Sequence, residues 1–306
     1  MKQPVPVAVF AFRRAGMLVR TLAALRANGV PLIYAFSDGP RNASDTADVT
    51  EVRRVLRGVD WAEIHVVERP ENVGLNASLI RGISEVLHIH DDVVVCEEDI
   101  EFSQGVYSYL LAALERYRDE PRVMSVGGWT HPRMTPSDAR DVPHFTGRFT
   151  EWGWATWRRA WAGFPNVSPI ELRDRCVARG IDFGKYGRDV ADWVASNPED
   201  LSWDYAFNLH MMLHDGLALL PPRAMTEHIG YDEKSTHPQD RSEWNDHAEP
   251  PPPLDQVQWP EVRENSGSAE CWRRAMERPA PPSLMERIRR RLARLIKRTV
   301  LRRPRA

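Results

Sequence analysis

The run Val93-Val94-Val95-Cys96-Glu97-Glu98-Asp99 leads an apolar strand directly into three acids. Adjacent carboxylates repel one another, so a fold gains little from them unless a cation or a hydrogen-bonding ligand offsets the charge. Mg²⁺ and Mn²⁺ suit this chemistry, because they take oxygen ligands and are often held by one or two carboxylates, with water and substrate phosphates completing the shell. The triplet therefore reads as part of a metal and diphosphate site, with Mn²⁺ or Mg²⁺ as the expected cofactor. Two further acids stand where chemistry is served. Asp38 lies in the turn Ser37-Asp38-Gly39-Pro40, and Asp204 lies in Ser202-Trp203-Asp204-Tyr205 at the start of an expected helix. At that position the helix dipole is expected to lower the Asp204 pKa and keep it ionised. Downstream, His228 and His237 flank Asp232 and Glu233.

These residues need elements to hold them. Val5 to Phe12 is a short apolar run rich in β-branched and aromatic residues, as expected of a strand buried on both faces. Apolar spacing predicts a helix over 17–25, stopped by Asn28-Gly29, and a second strand over 31–36 that ends in the Asp38 turn. The alternation goes on with a helix at 49–56, a strand at 63–67, a loop at Asn72-Val73-Gly74, a helix at 75–87 and a strand at 92–96. Strand and helix taking turns over about a hundred residues means a mostly parallel sheet with right-handed crossovers. Ligands of such sheets bind at the carboxyl ends of the strands, where Asp38 and the acid triplet fall. A helix at 105–117, a strand at 123–126 and a helix at 204–214 follow. Trp154, Trp157 and Trp161 are spaced three and four apart, so the segment reads as a helix with these rings on one face. That face packs in the core or stacks on a sugar. Gly153, just before it, lets backbone approach a ligand closely.

Composition narrows the function further. The chain has 306 residues, 42% of them hydrophobic, enough for a substantial core. No run approaches the roughly 20 apolar residues of a membrane-spanning helix, and no signal-peptide pattern opens the chain, so the expectation is a cytoplasmic protein. Three scattered cysteines fit a reducing compartment and no zinc site. Residues 285–306 carry ten Lys/Arg against Glu286 alone, although the net charge of the whole chain is −2. The body is thus acidic, which argues against nucleic acid as a partner. Phosphate-loop, dinucleotide-binding, zinc-protease and α/β-hydrolase signatures are absent from the sequence. Four consecutive prolines at 250–253 and Pro279-Ala280-Pro281-Pro282 interrupt regular structure. This suggests a folded domain over 1–248, a Pro-rich connector over 249–282 and a basic amphipathic helix over 283–306. The face of residues 285–301 suits an anionic membrane surface, which would place the protein peripherally at the inner side of the cell membrane.

The order Phe12-Arg13, Ser37-Asp38-Gly39, Glu97-Glu98-Asp99 and Ser125-Val126-Gly127-Gly128-Trp129 resembles the layout of GT-A-fold nucleotide-sugar glycosyltransferases, N-acetylglucosaminyltransferase I in particular. The segments 151–161, 202–207 and 228–237 resemble bacterial sugar transferases associated with surface polysaccharides. The resemblance covers roughly residues 5 to 240. It implies a Rossmann-like, mostly parallel α/β sheet flanked by helices. It also implies metal-dependent, inverting transfer from a nucleotide-diphospho-sugar donor to a glycan or glycolipid acceptor hydroxyl. On this resemblance Asp38 accepts from the nucleotide base and Arg13 faces the nucleotide. Asp99 binds the metal, Glu98 lies near the ribose and Glu97 near the sugar hydroxyls. Asn72, Trp129, Gly153 and Trp154 line the substrate pocket, His237 completes the metal shell, and Asp204 is the catalytic base. The middle place of the triplet is more often Asp in that family, so the role of Glu98 is softer than that of Asp99. Two other readings stay open: a nucleotidyltransferase, although 11–16 lacks the Gly-rich loop of that class, and a non-enzymatic membrane-associated binding protein.

Overall fold

The computed structural model describes residues 4–196, 202–231, 244 and 247–277. In chain order the elements are β1 (Val7–Ala11), α1 (Ala15–Ala27), β2 (Leu32–Ser37), α2 (Thr46–Arg57), β3 (Glu63–Glu68), α3 (Leu75–Ile89), β4 (Asp92–Glu97), β5 (Ile100–Phe102) and α4 (Val106–Arg116). They continue with β6 (Val123–Gly127), β7 (His144–Thr146), β8 (Trp154–Trp157), α5 (Arg158–Trp161), α6 (Pro169–Ala178), α7 (Arg188–Ser196), α8 (Trp203–Leu213), β9 (Leu217–Leu220), β10 (Thr226–His228) and α9 (Ser268–Met276).

An eight-stranded sheet in the order β3-β2-β1-β4-β8-β6-β9-β7 forms the centre of a mixed α/β fold, with helices packed against it. Only β7 and β8 run against the other strands. Every residue of β1 is buried, as its unbroken apolar run requires of a central strand. Helix α3 turns Leu79, Ile83 and Val86 inward at helical spacing. Gly82, on the same helix, leaves room for the Phe10 ring, which a Cβ there would meet at 2.5 Å. The chain moves outward from β1 through β2 to β3, then returns to the other side of β1 as β4. The strand order thus reverses between β1 and β4. A crevice opens at the carboxyl ends of the strands at such a reversal, and here it falls where Phe12 and Glu97 leave the sheet.

Two expectations change. Trp154 and Trp157 lie on strand β8 rather than on a helix, and only Arg158–Trp161 is helical. Strand β8 sits between β4 and β6 with both faces covered, so both rings are buried without helical spacing. The folded body also continues past 248. Trp259 stacks on Tyr109 with ring centroids 5.2 Å apart, the Tyr117 hydroxyl donates to the Pro260 carbonyl at 2.7 Å, and the Asn265 amide donates to the Phe145 carbonyl at 2.9 Å. Residues 249–277 are therefore a strap bound to the body, because prolines prevent regular structure but not packing. The expected basic helix over 283–306 lies outside the described residues. No helix among the described residues is long and apolar enough to cross a membrane.

Candidate active site

The crevice between β1 and β4 is closed by charge. The Phe12 amide donates to Glu98 Oε2 at 2.7 Å, and Arg14, at the entrance to α1, donates from Nε to Glu98 Oε1 at 3.0 Å and from Nη2 to Asp99 Oδ2 at 2.6 Å. Sequence reasoning chose Arg13 of this Arg-Arg pair, but Arg13 instead bonds Asp45 at 3.3 Å. The pair itself signalled a cation at this strand end; which member turned inward depended on the start of α1. Glu98 is nearly fully buried, with both oxygens committed to protein donors. Burial raises its pKa, opposed by Arg14 and the Phe12 amide.

Asp99 is only 3% exposed, and its Oδ2 also lies 3.1 Å from His228 Nε2 on β10. Burial works to raise its pKa, but the His228 and Arg14 contacts outweigh this and hold it below the usual carboxylate range. Gly230 presses on the same carboxylate, where a Cβ would come within 2.1 Å of Oδ2. His228 was weighed in the sequence beside His237; the antiparallel pairing of β10 with β5 carries it to Asp99. His237 lies outside the described residues.

The Asp99 oxygen and the His228 nitrogen also answer whether a divalent ion fits. Two adjacent ligands at about 2.1 Å on an octahedral ion stand about 3.0 Å apart, close to the separation seen here. The described residues contain no group of three His, Cys, Asp or Glu placed for a metal, so an ion at this pair would need the rest of its shell from water and ligand oxygens.

Glu97, Glu151 and Asp204 form the acidic wall of the cleft. Each is half-buried and keeps some surface open. Burial, then Asp99, Glu151 and Asp204, push the Glu97 carboxyl well above its usual range. Glu151 is pushed up to about 8 by burial and then by Asp204. Asp204 is raised as well, by burial, although the Ser202 hydroxyl bonds it and backbone donors oppose the shift. The dipole argument for a lowered pKa therefore fails, because desolvation in the cleft exceeds the effect of one helix end. Asn208 sets this wall: its Oδ1 accepts from the Phe149 amide at 2.9 Å and its Nδ2 donates to the Asp204 carbonyl at 3.0 Å. The 149–151 segment is thereby held against the first turn of α8. Glu151 was not singled out in the sequence, because its approach to Asp204 depends on this long-range clamp.

At the end of β2, Asp38 is 5% exposed. Its Oδ2 accepts from the Val73 amide at 3.2 Å, while Oδ1 makes no hydrogen bond and faces Arg69 Nε at 3.5 Å. Arg69 Nε and Nη2 make none either, which leaves a buried acceptor beside a buried donor. Asn72 is spent on its own loop, donating to the Gly39 carbonyl at 3.3 Å and accepting from the Gly74 amide at 3.1 Å. Its side chain thus holds the turn beside Asp38.

The aromatic assignments also shift. Trp154 is fully buried against Phe149, Trp161, Trp203 and Phe207, so it offers no face to a sugar. The space beside Gly153 is taken by protein, since a Cβ there would lie 2.8 Å from Thr226 Cγ2 and 3.0 Å from the Phe102 ring. Its φ of +74° and this crowding explain the glycine without a ligand. Trp129 is 6% exposed and meets Trp152 edge-on at 4.4 Å. Half-buried Trp152 in turn stacks on His228 at 4.9 Å. Trp152 is thus the ring that borders Asp99 through His228.

No protein-family model and no curated protein matches the sequence. Among solved structures the fold is similar to a mannosyltransferase from Pyrobaculum calidifontis in complex with GDP-Man and Mn²⁺. That match has a TM-score of 0.47 and 15% identity and covers 76% of this chain. The chain spans 59% of that protein's length.

Proposed function

We propose that the protein transfers a sugar from a nucleoside-diphospho-sugar to an acceptor hydroxyl, with inversion and with metal assistance, as an enzyme of surface glycan or glycolipid synthesis. The observation that carries this reading is the position of Asp99, Glu98 and Asp38 at the strand-order reversal, with the acid wall of Asp204 facing the same crevice. Asp38, at the end of β2 and paired with the Arg69 guanidinium at 3.5 Å, marks the nucleotide side of the crevice. Asp99 and His228 are the residues that would hold a divalent ion. The nitrogen donor favours Mn²⁺ over the all-oxygen preference of Mg²⁺. When bound, the ion offsets negative charge on the departing diphosphate. Arg14 then remains on Glu98 and adds a fixed positive charge beside the diphosphate.

Asp204 is the base that takes the acceptor proton. Its raised pKa brings it closer to working pH than an ordinary Asp, which strengthens it as a proton acceptor. Glu97 and Glu151 line the sugar side of the cleft, and Trp152, rather than Trp154, supplies an aromatic wall. Incubation with UDP-, GDP- and dTDP-sugars plus Mn²⁺ tests the reading, with nucleoside diphosphate release and transfer to glycan acceptors as readouts. Turnover of at least one donor is expected. Absence of both turnover and binding across the whole panel would refute the reading.

A further inference from the structure

Beyond β6 and β9, on the same edge of the sheet as the acidic cleft, lies a cavity of about 620 Å³. This is large enough for a ligand of several rings. Thr135 and Ala224 form its buried floor, and Arg140, Arg223, His247 and Glu249 stand exposed around it. Its lining holds two guanidiniums and one carboxylate, where the wall of the cleft holds three carboxylates. Arg223 is held in place between Asp141 at 3.2 Å and Glu249 at 3.0 Å. Arg140 forms no ion pair among the described residues, so its fork of donors is free for a ligand.

The cavity is joined to the cleft through backbone. The Met225 amide, next to Ala224, donates to the Gly128 carbonyl at 2.9 Å, and Thr226 Oγ1 donates to the Trp152 carbonyl at 2.6 Å. Four residues separate Ala224 from His228, at most about 13 Å of extended chain. The cavity therefore lies within about 13 Å of His228 along this edge of the sheet. Glu97, Glu151 and Asp204 repel an anion and Arg140, unpaired among the described residues, attracts one, which favours a molecule with its hydroxyl towards the cleft and its negative group at the cavity.

We propose that this cavity binds an oxyanion, phosphate or carboxylate, borne by the acceptor, with Arg140 as its principal contact. The planar fork of a guanidinium matches both groups. This inference rests on the glycosyl-transfer reading, but its test is separate. Inorganic phosphate and glucuronate are titrated into the full chain, wild type and Arg140→Ala, with and without saturating nucleoside diphosphate and Mn²⁺. Phosphate is followed by ³¹P linewidth and glucuronate by ligand-observed ¹H signals. At least one of the two probes is expected to bind the wild type, to stay bound when nucleotide is saturating, and to bind at least tenfold more weakly to Arg140→Ala. Arg140→Lys should recover part of that loss, and nucleotide affinity should be the same in all three proteins. Binding of neither probe, displacement by nucleotide, or equal binding to Arg140→Ala overturns the proposal. Failure of every nucleotide to bind counts against the transfer reading alone and leaves the two-probe comparison intact.

Discussion

At the residue scale, Asp99 and Asp204 divide two tasks between them. Asp99 is held ionised by His228 and Arg14, whereas Asp204 is raised by burial in the cleft. Asp204→Asn keeps the shape of the side chain and removes its basicity, so donor binding should be unchanged while transfer falls by about 10²–10⁴. Equal affinity and normal turnover in single-turnover assays would remove Asp204 from the role of base. The direction of its shift also has a pH consequence. A base with a raised pKa protonates earlier as pH falls, so the acid limb of the transfer rate should lie above the ordinary Asp value of about 3.9. The two tryptophans separate structure from function at the same scale. Trp154→Ala opens a void in the aromatic core and should cost about 3–5 kcal/mol in denaturant unfolding. Trp152→Ala should cost far less stability and raise the KM for a sugar substrate; the reverse pattern would restore Trp154 as the ligand platform.

At the scale of elements, the β/α alternation through β4 was legible because β1, β2 and β4 are apolar runs, the edge strand β3 carries its own apolar residues, and the helices show a buried stripe. The ends of β1, β2 and β4 could be placed in the same way, and with them Asp38 and the acid triplet. Strand β8 was misread because a strand with both faces covered has no alternation, and tryptophans three and four residues apart imitate a helical face. Glu151 and Arg69 were illegible as site residues, since each depends on a contact remote in sequence, and His228 was legible only as a candidate until β10 placed it on Asp99. The Asn208 clamp is such a contact, and it can be cut. Asn208→Leu leaves the Phe149 amide without its acceptor, which should cost about 1–3 kcal/mol, and removes the side-chain tie to the first turn of α8. It should also depress transfer more than donor binding, because it moves the acid wall and leaves Asp38 and Asp99 in place. Unfolding curves and kcat against KM check both effects.

At the scale of the whole molecule, the 249–277 strap belongs to the folded body. It buries Trp272 against the Arg148 guanidinium, 4.7 Å from its ring, and Arg148 in turn bonds Asp189 on α7. The prolines hid this from sequence reading, because they mark where regular structure stops and say nothing of tertiary docking. Two buried histidines set how the molecule responds to acid. Burial lowers His144 to about 4, and burial together with His214 lowers His210 to about 4. Both stay neutral in the folded state, while in the unfolded chain they take protons near 6.5. The contribution of these two histidines is therefore constant above about 6.5 and falls as pH drops from there towards 4, by about 3 kcal/mol each, while Glu151, pushed up to about 8, acts in the opposite sense over the same window. His144→Gln combined with His210→Gln should flatten the fall of Tm between pH 6.5 and 4. An unchanged slope would place the acid sensitivity elsewhere.

The account stands or falls on a divalent ion at Asp99 that holds the diphosphate. The most direct measurement is the Kd of UDP and GDP by calorimetry, with Mn²⁺ and with EDTA, for wild type, Asp99→Ala and Asp204→Asn. The tighter-binding nucleotide should lose at least tenfold in affinity when EDTA replaces Mn²⁺ in wild type and in Asp204→Asn, and Asp99→Ala should bind weakly under both conditions. Wild-type affinity that is the same with and without Mn²⁺, or Asp99→Ala that still responds to it, would contradict the account.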